Sequence, residues 1–217
     1  MHQGDLGKLK GVYYINTVDE VTQWEFVICV SHITDEFMIP SLEHIIESLP
    51  FKIINFHSDN GGEYINYKVS EILKRLTIKQ TKSRSRKSTD NALVEGKNGF
   101  IIRKTMGRNF IHKDNVELIN EYYKEYHNRY LNFHRVCSFA TDYTDKRGKI
   151  RKKYDVHTTP YERLKSLPDA SSYLKKEVTF EALEIIATEY SDNEWKEKID
   201  CAKIEMLKKI DQKLTEE

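Results

Sequence analysis

The stretch VYYINTVDEVTQWEFVICVS, residues 12–31, decides the fold class. Val12–Asp19 and Gln23–Ser31 are dense in aromatic and β-branched residues, which suit a pleated, half-buried surface, so both read as strands. The link between them, Glu20-Val21-Thr22, is short enough for an antiparallel hairpin. Downstream, Thr34 or Asp35 can cap a helix to about Ser48, with Phe37, Ile45, Ile46 and Leu49 on its apolar side and Pro40 delaying its start. Lys52–His57 (KIINFH) is a third strand, followed at once by Ser58-Asp59-Asn60-Gly61-Gly62. A second helix, Tyr67–Leu76, carries Val69, Ile72, Leu73 and Leu76 at helical spacing, and Thr77–Thr81 is a short strand. Strands alternating with helices make this an α/β chain.

Length and composition agree. The 217 residues, 32% charged and 39% hydrophobic, suit one ordinary domain with a helical appendage. Four Pro and nine Gly exclude a disordered or collagen-like chain. No apolar run approaches the roughly 20 residues that span a bilayer, so no membrane partner is expected. The opening MHQGDLGKLK lacks the apolar region of a signal peptide, which predicts a cytoplasmic protein. Cys29, Cys137 and Cys201 are too far apart for a zinc motif or a disulfide framework, and the eight His are scattered.

Charge is uneven. From Lys74 to Lys104 ten basic residues face two acids, Asp90 and Glu95, a balance of +8. From Lys165 to Glu217 nine Lys face thirteen acids, a balance of −4. A second basic cluster, KRGKIRKK, spans Lys146 to Lys153. This asymmetry predicts a polyanion-binding body with an acidic-leaning tail.

The rest of the chain reads as helix and loop. Lys82–Thr89 is a polar, basic loop. Asp90 caps a helix from Asn91 to about Met106, a further helix spans Asn115–Arg129, and an irregular basic stretch reaches Pro160. Lys175–Tyr190 and Asn193–Thr215 are terminal helices, the second with Trp195, Ile199, Ala202, Met206 and Ile210 on one face. The organisation is therefore a core over residues 1–167 and a C-terminal helical extension over 168–217.

Two carboxylates stand out. Asp59 directly follows a strand, in a turn whose glycines allow unusual backbone angles. Glu95 lies in the first turns of the helix after the basic loop, with 35 residues between the two. A carboxylate at a strand end and another on a later helix can converge on Mg²⁺, which prefers oxygen ligands and keeps waters that phosphate oxygens replace. Two such ions about 3.5–4 Å apart stabilise both oxygens of an in-line phosphoryl displacement.

The residues around these acids carry a family resemblance. FHSDNGGEY, Phe56 to Tyr64, resembles the second-aspartate motif of retroviral-integrase-like DDE transposases. DNALVEGKN, Asp90 to Asn98, resembles their glutamate motif, and the 35-residue gap is similar to the family's spacing. Tyr126-His127-Asn128, His134-Arg135 and then Thr159-Pro160-Tyr161-Glu162-Arg163-Leu164 resemble its closing pattern. The resemblance covers roughly residues 11–167. It implies an RNase H-like mixed sheet flanked by helices, and DNA cleavage and strand transfer with Mg²⁺ or Mn²⁺. Water would attack a phosphodiester at the element's end, and the freed 3′-hydroxyl would attack target DNA. By the same resemblance Asp59 and Glu95 are metal ligands. Lys82, Arg84, Arg86, Lys87, Asn91, Lys97, Asn98, Arg103 and Lys104 are expected at DNA, and the chain is expected to act as a homo-oligomer on element ends and target DNA.

One family feature is displaced. The first Asp belongs on a central strand just upstream of the strand near Gly11, and Asp5 is the only acid before Asp19. Asp5 is therefore one candidate third ligand. Met1-His2-Gln3-Gly4 is too polar for a central strand and reads as the loop after one, which places the first Asp and its strand upstream of Met1 instead. Three functions follow as expectations: an active transposase core; a truncated, catalytically dead transposase that only binds DNA or full-length transposase; or another RNase H-like nuclease such as a junction resolvase.

Overall fold

The computed structural model describes residues 1–58, 67–82 and 92–215, and it is mixed α/β. Met1–Gln3 lies antiparallel to residues 12–14: the Gln3 amide donates to the Val12 carbonyl at 2.9 Å, and the Tyr14 amide to the Met1 carbonyl at 2.7 Å. Two short exposed strands, β1 (Asp5–Leu6) and β2 (Leu9–Lys10), form a hairpin. The larger hairpin follows as β3 (Tyr13–Val18) and β4 (Glu25–Val30), antiparallel, with Tyr13 opposite Val30 and Val18 opposite Glu25. Next come α1 (Asp35–Ser48), β5 (Asn55–Ser58), α2 (Tyr67–Arg75) and β6 (Lys79–Lys82). β5 and β6 are parallel, with Asn55 opposite Lys79, and α2 is the crossover that a parallel pair requires.

Two longer helices are each interrupted by a π-helical turn. α3 (Ala92–Lys97) runs through π-helical Asn98–Ile102 into α4 (Arg103–Met106). After a 3₁₀ turn at Lys113–Asn115, α5 (Val116–Tyr122) runs through π-helical Tyr123–His127 into α6 (Asn128–Phe133). A long antiparallel hairpin, β7 (Cys137–Thr144) and β8 (Ile150–Thr158), occupies the stretch expected to be irregular. The chain ends with α7 (Pro160–Lys165), α8 (Ala170–Tyr173), α9 (Phe180–Thr188) and α10 (Asp192–Thr215).

The β3–β4 hairpin separates two apolar cores. Ile15, Phe26 and Val30 face one, with Met38, Leu42 and Ile45 of α1, Val69 and Leu73 of α2, and Tyr161 and Leu164 of α7. Tyr14, Val27 and Cys29 face the other, with Ile101, Ile102, Ile119, Tyr123 and Leu131. Met206 and Ile210 of α10 belong to this second core, so the acidic-leaning tail packs its apolar stripe there. Two local expectations need correction. Pro40 does not delay α1, which starts at Asp35; the burial of Met38, Leu42 and Ile45 offsets the hydrogen bond that proline cannot donate. α9 begins at Phe180, not Lys175: Thr179 caps it through the Ala182 amide, while Lys175 donates to the Ile46 and Glu47 carbonyls at the end of α1.

The outer edge of β4 is closed by asparagine side chains, not by another strand. Asn132 accepts from the Glu25 amide at 2.7 Å and donates to the Glu25 carbonyl at 2.8 Å. Asn128 does the same for Val27 at 3.0 Å each way, and Asn120 for Cys29 at 2.7 and 2.9 Å. A carboxamide can mimic a peptide because it carries both donor and acceptor. Four helical residues rise about 6 Å and two strand residues about 6.8 Å, so Asn128 and Asn132 keep pace with Val27 and Glu25. Asn120 is eight residues from Asn128, which would rotate it about 80° off a continuous α-helix. The π turn between them takes up one residue and brings it back into line.

Two outcomes follow. Asn128→Ala leaves a buried amide and carbonyl of Val27 without partners and should cost roughly 2–4 kcal/mol in urea unfolding, with Asn128→Asp also losing the donor arm. His127, buried beside the Tyr122 hydroxyl, has its pKa lowered to about 3 by burial first and then by Arg135, Lys203 and Lys196. Between that value and the unfolded pKa of about 6.5 the native state binds fewer protons. Stability should therefore rise with pH across this window, by about 1.4 kcal/mol per unit. His127→Gln should flatten that slope in unfolding curves taken from pH 4 to 6.5.

Candidate functional site

Ser58 ends β5, and Asp59 is the next residue; Asp59 itself lies outside the described residues, as do Arg84, Arg86, Lys87 and Asn91. Lys82 is the last residue of β6. The rest of the candidate site is built on α3 and the β3–β4 hairpin.

α3 carries Glu95 on an exposed face, with open space around Gly96 beside it. Glu95 makes no ion pair among the described residues. The next turn points the opposite way. Lys97 is only 6% exposed, and its ammonium lies 3.3 Å from the carboxylate of Glu25, which is fully buried on β4. The Lys97 ammonium also meets the Cys137 Sγ at 3.4 Å. Glu25 receives two further donors, the Asn16 amide at 3.0 Å and the Arg135 guanidinium at 3.4 Å. Asn16 in turn donates to the Asn98 side chain at 3.0 Å. Five polar residues from β3, β4, α3, the π turn and the segment before β7 thus share one desolvated cluster.

The physics of that cluster explains its completeness. A buried carboxylate is tolerated only when its lone pairs are met by donors and its charge by cations. Here two cations and an amide surround Glu25, so α3 is held against β3 while Glu95 stays in water. Glu25 was not legible as a functional candidate, although one signal existed: it is in phase with Val27 and Cys29 along β4, which puts a charge on the buried face of the strand.

The remaining residues fall elsewhere. Asn98 is half-buried and committed to Asn16. Arg103 and Lys104 are exposed on α4, with Lys104 over the Phe100 ring at 3.9 Å. Asp5 sits on the exposed β1–β2 hairpin, 3.0 Å from the His2 ring. Among the described residues no three His, Cys, Asp or Glu gather as a metal-binding group. The donor chemistry that can be assigned is nonetheless of the right type for a hard divalent cation, since Glu95 offers an exposed oxygen ligand.

The family model of the integrase core domain matches residues 1–88. That span includes Asp5 and Asp59 and stops before Glu95 and the Lys97 contact. No curated protein matches the chain. Among the described residues no helix is long and apolar enough to cross a membrane.

The buried cluster makes a stability prediction of its own. Lys97→Met should cost about 3 kcal/mol, at the low end for breaking a buried pair because Arg135 remains beside Glu25. The Glu25→Gln, Lys97→Met double variant should recover part of that loss, and a double-mutant cycle by chemical denaturation measures the coupling.

Proposed function

We propose, from the premise that residues 1–88 belong to the integrase core family, that this chain is a transposase-type core that cuts and joins DNA. In this reading β3–β4 and β5–β6 are parts of one RNase H-like arrangement. Its support is the shared apolar core, to which Ile15 of β3 and Phe56 of β5 both contribute.

The observation that carries the proposal is the pairing of an inward Lys97 with an outward Glu95 on one short helix. Glu25 anchors the helix, and the carboxylate two residues earlier is left exposed at a fixed place beside β3. Catalysis of phosphoryl transfer depends on positioning and on charge at the reacting oxygens, and a helix pinned by a buried ion pair supplies positioning. Asp59, directly after β5, and Glu95 would hold Mg²⁺ or Mn²⁺. Such an ion supplies charge stabilisation to the attacking and leaving oxygens of an in-line displacement. Lys82, Arg84, Arg86, Lys87 and Asn91 on the intervening segment, with Arg103 and Lys104 on α4, would hold DNA phosphates, and the chain would work as a homo-oligomer on DNA ends.

A second reading, DNA binding without cleavage, is favoured by the placement of Asp5. Its carboxylate is committed to His2, on an exposed hairpin of two-residue strands, which is not the buried central strand a third metal ligand needs.

A strand-transfer assay with Mg²⁺ or Mn²⁺ and element-end DNA separates the two. The active reading expects Asp59→Ala and Glu95→Gln each to lower the rate by more than about 100-fold, the upper range for losing a mere outer-shell partner of a metal, with duplex binding retained. Loss in Asp5→Ala would make Asp5 the third ligand. Duplex binding with no strand transfer from the unaltered chain would leave the DNA-binding reading in its place.

A further inference from the structure

The hairpin of β7 and β8 is unlike the rest of the molecule. Its root is built in: Cys137 and Phe139 are buried, Arg163 lies over the Phe139 ring at 5.2 Å, and Gln23 donates to the Ser138 carbonyl at 2.8 Å. From Ala140 to His157 every residue is exposed except Asp145, which is half-buried in its own turn. A two-stranded ribbon with water on both faces is marginal in stability by itself. It also displays large apolar groups, with Ile150 74%, Tyr154 63% and Tyr143 49% exposed.

The charges on the ribbon are sorted. Register puts Tyr143 opposite Arg151 and Thr141 opposite Lys153 on one face. There the cations are neutralised, Arg151 by Asp145 at 3.1 Å and Lys153 by Asp155 at 3.3 Å. The other face pairs Ala140 with Tyr154, Asp142 with Lys152 and Thr144 with Ile150. Lys152 makes no ion pair there among the described residues. At the tip, Asp145 accepts from the backbone amides of Arg147 and Lys149 and from Arg151, and Gly148 takes a φ of +75°. The turn is thus locked by one carboxylate, and the side chains of Lys146, Arg147 and Lys149 make no ion pair among the described residues.

We infer that this ribbon is a DNA-binding arm, which lays its Ile150–Lys152–Tyr154 face and its basic tip against a duplex. Three observations select that occupant. Four cations without ion-pair partners among the described residues suit a polyanion. A two-stranded ribbon fits the roughly 12 Å major groove, and nine residues of β8 span about 30 Å, nearly a turn of duplex. The root also touches the candidate site, through the Lys97 ammonium on Cys137, so DNA along the arm leads toward Glu95. The inference shares with the proposed function only the premise that the chain handles DNA; the run Lys146 to Lys153 entered the sequence reading as a basic cluster, with none of its residues assigned to DNA.

The test is fluorescence anisotropy of the full chain with a labelled duplex of mixed sequence, titrated at several salt concentrations. Replacing Lys146, Arg147, Lys149 and Lys152 together by Ala should weaken binding and lower the slope of log affinity against log salt by about 2–4, near one unit per lost phosphate contact. Tyr154→Ala should weaken binding with the slope unchanged. These positions are exposed, and far-ultraviolet dichroism checks that the fold persists. Unchanged affinity and slope in the fourfold variant would overturn the arm while leaving the strand-transfer reading intact. A change of mass in light scattering without a change in DNA affinity would overturn it in favour of contact with a second copy. Failure of the unaltered chain to bind any duplex would overturn the arm and the proposed function together. Loss of binding in the fourfold variant, with strand transfer insensitive to Asp59→Ala and Glu95→Gln, would keep the arm and remove the catalytic reading.

Discussion

Strand β4 must satisfy hydrogen bonds on two sides, and among the described residues only one side has a strand on it. β3 supplies the inner ladder, and three asparagines on the α5–α6 helix supply the outer one. Much else in the fold follows from that constraint. The helix must lie along the strand, which fixes the second core between them. It must also carry its carboxamides in line, which the π turn at Tyr123–His127 achieves. An open strand edge is a template for unwanted pairing, and here it is covered by side chains that imitate a backbone.

The same strand also carries the charge around which the candidate site is organised. Glu25 has its backbone amide and carbonyl held by Asn132 and its carboxylate held by Lys97, Arg135 and Asn16. Backbone edge and buried ion cluster are therefore joined at one residue. Displacement of the α6 helix would disturb the cluster, and displacement of the cluster would free α3. The exposed carboxylate of Glu95 is thus positioned by interactions that lie beneath the surface it occupies.

Parts of this were legible in the sequence and parts were not, for physical reasons. The β3–β4 hairpin, α1, α2 and the apolar stripe of α10 announced themselves because each buries one side, which writes a period into the apolar residues. By contrast, β5 and β6 are short and mostly polar, and Ile53, Ile54 and Ile78, which marked them in the sequence, lie just outside their bounds. The β7–β8 ribbon writes no such period, because both faces are wet, and its basic run reads as loop. Asn120, Asn128 and Asn132 look like surface amides on a helix, and their partners are backbone atoms with no sequence signature. Lys97 reads as a phosphate contact in a basic segment, yet its side chain is turned inward to a carboxylate more than 70 residues away. Asp59 and Glu95 are candidates on local chemistry and resemblance alone. The structure adds how Glu95 is held, while Asp59 lies outside the described residues.

The spacing of the asparagine contacts has a consequence for synthesis. Each partner of β4 lies 91 to 107 residues further along the chain, and Gln3 likewise waits for the carbonyls of Met106, Gly107 and Asn109. At about 5–20 residues per second, a ribosome needs roughly 5–20 seconds to supply them. During that interval the hairpin has emerged with its outer edge bare and the apolar residues Val27 and Cys29 uncovered. The nascent chain therefore passes through a window in which the β3–β4 hairpin is sticky, and chaperone demand should peak there, well before the ribbon and the terminal helix leave the exit tunnel.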